Sequence, residues 1–210
     1  MSAIILLLPF VALITLNVLP RTARGASWGI TLGIFALQTV LAALQPLGLI
    51  DWSFLAPLPS LLSFTLSLDA LSLLLIASAG IAGMTALLVG RATLSHPRTR
   101  FIFTNLLLVA LIGMNGIAMV SDLFTLWVFI EVTSVAAFIL VTVRDGKPAL
   151  EGAWKYLLLS SIASVFMLAS LGFFLLSAGG VSFAEAAASL ASPTPFTWVA
   201  VALFLCGLFV

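Results

Sequence analysis

Seven apolar runs, each close to the length that crosses a bilayer, fill most of this 210-residue sequence. They lie at approximately 2–19, 27–50, 66–90, 101–120, 123–143, 149–177 and 196–210. A helix rises about 1.5 Å per residue, so roughly 17–25 apolar residues span a hydrocarbon layer about 30 Å thick. The composition agrees with the runs: 63% of residues are hydrophobic, 7% are charged, and the mean hydropathy is +1.32. Soluble domains carry charge on about a quarter of their residues. Eight basic and seven acidic side chains cannot cover a water-exposed surface of this size. The expected fold class is therefore all-α, a polytopic transmembrane bundle of about seven helices. The sixth run is long, with room for its first turn or two in the interface. The first run lacks the basic leader and small-residue cleavage signal of a secretory peptide, and reads as a retained membrane helix.

The loops give an orientation. Arg21 and Arg24 follow the first run, Arg91, Arg98 and Arg100 the third, and Arg144 and Lys147 the fifth. The alternate loops carry Asp51, Asp122 and Glu185 and no Lys or Arg. Cations concentrate on the cytoplasmic side of membrane proteins, so the N-terminus is expected outside. The apolar, proline-bearing loop 51–65 is expected at the outer surface. Segment 181–191, VSFAEAAASLA, is expected to form a short interfacial helix.

Several function classes are excluded by composition. Cys206 is the only cysteine and His96 the only histidine. An intrachain disulfide, a cysteine metal cluster and a bis-histidine haem within this chain are ruled out. No Ser-His-Asp set, phosphate-binding glycine loop or metal-ligand cluster is present, and no basic run suggests nucleic acid. No cofactor is expected.

Two ionisable residues fall inside expected spans. Glu131, in LFTLWVFIEVTSVAAFIL, lies about eight residues from the outer end of the fifth helix, roughly 12 Å deep. Its helical neighbours Trp127, Val128, Ser134 and Val135 include no cation, so any charged partner comes from another helix. An acid at that depth is costly and marks a proton or cation site. The competing reading is a protonated Glu hydrogen-bonded to a neighbouring helix. Lys155, in ALEGAWKYLLLSSIAS, has two open readings. It pairs with Glu151 four residues earlier and snorkels to the surface, or it acts with Glu131 on a conduction path. Ser134, Ser160, Ser161 and Ser164 either line a hydrated path or let helices pack closely. Asp69 and Asp122 sit near helix starts, where an acid caps the first turn.

The stretch from Arg100 to about Phe174 resembles the antiporter-like subunits of respiratory complex I, Mrp-type sodium/proton antiporters and membrane-bound hydrogenases. The recognisable pieces are SDLFTLWVFIE on helix five and ALEGAWKYLLLS on helix six, with FTLSLDALSLLL as a weaker third-helix match. The resemblance implies about fourteen helices with the N-terminus outside, and two inverted five-helix repeats with broken helices and half-channels. It implies that Glu131 matches the family's helix-five Glu, which pairs with a Lys on the broken seventh helix and modulates its proton affinity. Lys155 matches the helix-six lysine of some members. The chain ends at FLCGLFV, just before the position of the family's Lys-Ala-Gly motif. It is therefore expected to be a fragment or split subunit, or to have the remainder supplied by another chain.

On this reading residues 1–99 form an N-terminal three-helix region and residues 100–210 an incomplete antiporter-type repeat. The expected function is proton translocation within a complex I-type (NADH:quinone oxidoreductase) or hydrogenase-type assembly, beside other membrane subunits and with redox chemistry on partner subunits. A Mrp-type sodium/proton antiporter subunit and a non-conducting membrane scaffold are the alternatives. The expected location is the plasma membrane of a bacterium or archaeon. Glu131 and Lys155 are the translocation candidates, with Asp69, Ser134, Glu151 and Ser161 accessory; no residue is expected to hold a metal.

Overall fold

The structure, a computed structural model, describes residues 2–18, 25–47, 66–144 and 146–210. The helices are α1 (Ser2–Val18), α2 (Ser27–Leu44), α3 (Ala70–Thr93), α4 (Pro97–Met119), α5 (Leu123–Thr142), α6 (Lys147–Ala178), α7 (Phe183–Ala191) and α8 (Pro195–Phe209). Five of them, α2 to α6, have the length and apolarity to cross a membrane, while Ile4–Val18 and Pro195–Phe209 are shorter apolar helices. The chain is a multi-pass membrane protein of all-α architecture. Of the seven spans expected, five reach full length within the described residues. At 1.5 Å per residue the 32-residue α6 is about 48 Å long, well over the hydrocarbon thickness, so its ends project beyond it.

Capping chemistry sets the boundaries. Asp69 precedes α3 and its carboxylate accepts the Ser72 N–H, so the helix starts at Ala70 rather than at 66. Asp122 caps α5 through the Thr125 N–H. Pro97 occupies the first position of α4, where the missing N–H costs nothing, and this moves the start ahead of the expected 101. Helix α7, anticipated within 181–191, opens with a capping box between Ser182 and Glu185. Gly179, at φ 75°, ends α6 in the left-handed conformation.

Short backbone ties define the two ends of the bundle. Leu66 bridges Val120 and Asp122 bridges Ser182, which gathers the starts of α3, α5 and α7 at one end. At the other end Arg100 donates from Nε to the Leu94 carbonyl at 2.6 Å and from a terminal nitrogen to the Arg91 carbonyl at 3.1 Å. The cation-bearing and acid-bearing turns therefore alternate as the loops implied. Arg21, Arg24, Asp51 and loop 51–65 lie outside the described residues.

Helix α4 is the hub, packing against α1, α3 and α5, while α2 packs on α3 and α8 on α6. In a bilayer, helices associate through close van der Waals contact rather than through hydrophobic expulsion. Two glycines supply that closeness. A Cβ on Gly83 would collide with the Phe35 ring, and one on Gly116 with the Phe129 ring. Each phenylalanine thus seats directly on the neighbouring helix, and Phe129 fixes α5 two residues before Glu131.

Candidate functional site

Glu131 is the ninth residue of α5, about 12 Å from the helix start, and is half-buried. It faces a cavity of about 240 Å³ formed by α5, α6 and the end of α8. Ser134 shares its wall from α5, Tyr156, Ser160 and Ser164 contribute from α6, and Gly207 and Leu208 close it from α8. A water needs roughly 10–15 Å³ of such space and two to four polar partners, so the cavity has the room and the hydroxyls to hold several. Glu131 has no hydrogen bond or ion pair among the described residues. A carboxylate in hydrocarbon is costly when ionised. Hydroxyls around it, and water in the cavity, lower that cost.

Three contacts hold the walls. Trp127, one turn before Glu131, donates its indole N–H to the Ser164 hydroxyl at 3.0 Å and ties α5 to α6. Ser170, fully buried, donates its hydroxyl to the Ala200 carbonyl at 2.7 Å and ties α6 to α8. A Cβ on Gly207 would lie 2.7 Å from the Ala163 carbonyl oxygen, so only glycine lets α8 approach this closely. Such interhelical bonds are worth about 0.6 kcal/mol each on average, and their value here is positional.

The remaining candidates separate into distinct settings. Lys155 pairs with Glu151 at 2.6 Å, and both side chains are about two-thirds exposed, at 68% and 65%. The cavity is reached instead by the adjacent Tyr156. Ser161 is exposed and donates to the Leu157 carbonyl at 2.7 Å, and it does not line the cavity. Asp69 accepts from both the backbone N–H and the hydroxyl of Ser72, each at 2.7 Å. The Ser72 hydroxyl, followed by its N–H, holds that carboxyl below its ordinary range. Glu185 is likewise lowered by the hydroxyl and then the N–H of Ser182.

One polar feature was missed by the sequence reading. Gln38 and Asn115, 1% and 0% exposed, exchange reciprocal amide bonds of 2.9 and 2.8 Å. Gln38 also donates to the Ile76 carbonyl at 3.3 Å and Asn115 to the Ile5 carbonyl at 3.1 Å, joining α1, α2, α3 and α4. The signal was available: an amide in the middle of each of two apolar spans is expensive unless paired.

Residues 120–210 match a family described as NADH:quinone oxidoreductase/Mrp antiporter, transmembrane. The matched segment contains every residue named here around the Glu131 cavity. The chain is 30% identical over 209 residues to NAD(P)H-quinone oxidoreductase chain 4 1 of a Picosynechococcus species, covering 95% of this chain and 39% of the relative. It is 28% identical over 119 residues to a Na(+)/H(+) antiporter subunit of Alkalihalophilus pseudofirmus, covering 57% of this chain and 24% of that protein. A chain of respiratory complex I from Thermus thermophilus superposes with a TM-score of 0.75 at 26% identity, over 100% of this chain and 43% of its own length. The chain thus spans about a quarter to two fifths of the length of these curated relatives.

Proposed function

We propose, from the match of residues 120–210 to a family described as NADH:quinone oxidoreductase/Mrp antiporter, transmembrane, that the chain is an antiporter-like, proton-translocating membrane subunit of an energy-converting complex. Redox chemistry then resides on partner subunits. The observation that carries the reading is Glu131 in a hydroxyl-lined cavity between α5, α6 and α8, inside the matched segment. In this role the carboxylate takes a proton from water in the cavity and releases it when a charge on a neighbouring element changes its proton affinity. Ser134, Ser160 and Ser164 support the ionised state by hydrogen bonding, directly or through water. Lys155, tied to Glu151, contributes a more distant field and is proposed as a modulating charge rather than as the direct partner of Glu131.

The experiment is Glu131→Gln in the assembled complex, read as the pH gradient formed in membrane vesicles. Gln keeps the shape and hydrogen bonding but cannot ionise. Normal assembly with strongly reduced pumping supports translocation through Glu131. Pumping at the wild-type rate in a normally assembled complex refutes it and leaves a scaffold role.

The identity to a Na(+)/H(+) antiporter subunit supports a second reading, in which sodium is exchanged for protons. A pH gradient that collapses on addition of sodium, in vesicles without a redox substrate, is its signature.

A further inference from the structure

A second cavity, of about 810 Å³, opens at the cation-bearing end of the bundle, far along the chain from the Glu131 site. It lies between the start of α2 and the α3–α4 turn, and Arg91, Arg98 and Arg100 all line it. No Asp or Glu is among its described lining residues. Arg100 is anchored by its bonds to the carbonyls of Leu94 and Arg91, which leaves guanidinium N–H groups over. Arg91 and Arg98 make no ion pair or hydrogen bond among the described residues. Trp28, in the wall, is only 8% exposed, and its indole N–H is buried without a partner among the described residues.

A furrow leads out of this cavity along α2. Gly25 and Gly29 line the cavity, and Gly33 and Leu37 continue the same face at four-residue spacing. A Cβ on Gly25, Gly29 or Gly33 would meet nothing within 4 Å, and Leu37 is 44% exposed. The opposite face, with Trp28, Thr31, Phe35 and Gln38, is buried against the bundle. A cationic pocket at the interface therefore continues into an apolar groove running toward the membrane interior.

We propose that this site holds an anionic phospholipid, with its phosphate among Arg91, Arg98 and Arg100 and one acyl chain along the Gly25–Gly29–Gly33 furrow. Basic pockets between helices on the cation-rich side of a membrane suit such headgroups, and each Lys or Arg adds attraction. A glycine furrow alone would suit a partner helix equally. Three guanidiniums at its head, with no Asp or Glu among the described lining residues, favour the lipid.

The full chain, purified with whatever subunits accompany it, is tested by native mass spectrometry after incubation with equimolar phosphatidylglycerol and phosphatidylcholine. Wild type is expected to retain phosphatidylglycerol in preference by about tenfold or more. Arg91→Gln with Arg98→Gln should abolish the preference, and the Arg91→Lys, Arg98→Lys pair should keep most of it. Gly33→Leu, which fills the furrow and leaves the charges, should shorten lipid retention several-fold. Equal retention of the two lipids by wild type overturns the proposal. So does displacement of phosphatidylglycerol by millimolar inorganic phosphate, which would identify a soluble-anion site. Loss of a partner subunit from Gly33→Leu with lipid retention unchanged also overturns it, because the furrow is then a helix contact.

Discussion

Trp127 and Ser164 face each other across the α5–α6 interface, with the indole N–H 3.0 Å from the hydroxyl oxygen and one helical turn from Glu131. The pair sets the spacing of the cavity wall on which the carboxylate lies. Trp127→Phe keeps the ring packing and removes the donor. The expected loss in stability is small, about 0.6 kcal/mol, whereas pumping in vesicles should fall measurably because the wall is free to shift. Ser164→Ala should match it, and the double variant should be no worse than either alone. Additive losses would mean that each residue acts through something other than this bond.

The Glu151–Lys155 pair gives a similarly small expectation for stability and a graded one for transport. Both side chains are largely exposed on the long α6, and exposed i,i+4 pairs contribute about 0.3–0.5 kcal/mol. Lys155→Ala should leave the melting temperature within a degree or two and reduce pumping only in part. The swapped Glu151→Lys, Lys155→Glu protein should keep the local pair while moving the positive charge one turn toward the helix start. If Glu151→Gln and Lys155→Ala both pump at wild-type rates in normally assembled complexes, the pair is a surface staple.

These two residues also show where sequence reading reached its limit. The spans, the alternation of charged turns, the caps at Asp69 and Asp122 and the short helix α7 all depend on local pattern, and the sequence carried them. The depth of Glu131 followed from counting residues. The orientation of Lys155 did not, because a residue one turn nearer the interface has two favourable directions and composition does not choose between them. The cavity wall depends on α8 approaching α6 through Gly207, more than forty residues beyond Ser164 in the chain. The Gln38–Asn115 pair joins residues 77 apart. Contacts of that range leave no periodic trace in one sequence.

The amide pair yields a prediction about asymmetry. Gln38→Leu leaves the buried Asn115 amide without its reciprocal partner, at a cost of about 1–3 kcal/mol. Removing both amides in Gln38→Leu, Asn115→Leu leaves no orphan, because the Ile5 and Ile76 carbonyls already lie within helices. The double variant should therefore unfold closer to wild type than the Gln38 single variant does. Single costs that simply add in the double would show that the two amides are not coupled.

Asp69 gives the pH dependence. Its carboxyl is held below the ordinary range by the Ser72 hydroxyl and N–H. A depressed carboxyl pKa adds stability that is present above the unfolded value of about 3.9 and is lost as pH falls through the folded value. Thermal unfolding in detergent should therefore lose stability below about pH 4, and Asp69→Asn should flatten that part of the profile while leaving the neutral-pH slope alone. An unchanged acid limb in Asp69→Asn would remove the cap from the account; Glu185, lowered in the same sense by Ser182, would then be the next carboxyl to replace.

The last prediction concerns whether Glu131 works through the water its cavity can hold. The carboxylate has no cation beside it among the described residues, and the nearest span cation is paired elsewhere. The space beside it is the hydroxyl-lined cavity between α5, α6 and α8. Ser160→Leu keeps the acid but puts an apolar branch into that space. If water carries the proton, this variant should lose pumping nearly as fully as Glu131→Gln, and combining the two should add nothing. Glu131→Asp draws the carboxyl back by one methylene while leaving the cavity wet, so it should retain part of the activity. In Ser160→Leu the same shortening should rescue nothing, since reach is not what was lost. Vesicle pumping by Ser160→Leu at the wild-type rate, in a normally assembled complex, would show that protons reach Glu131 by a route outside this cavity.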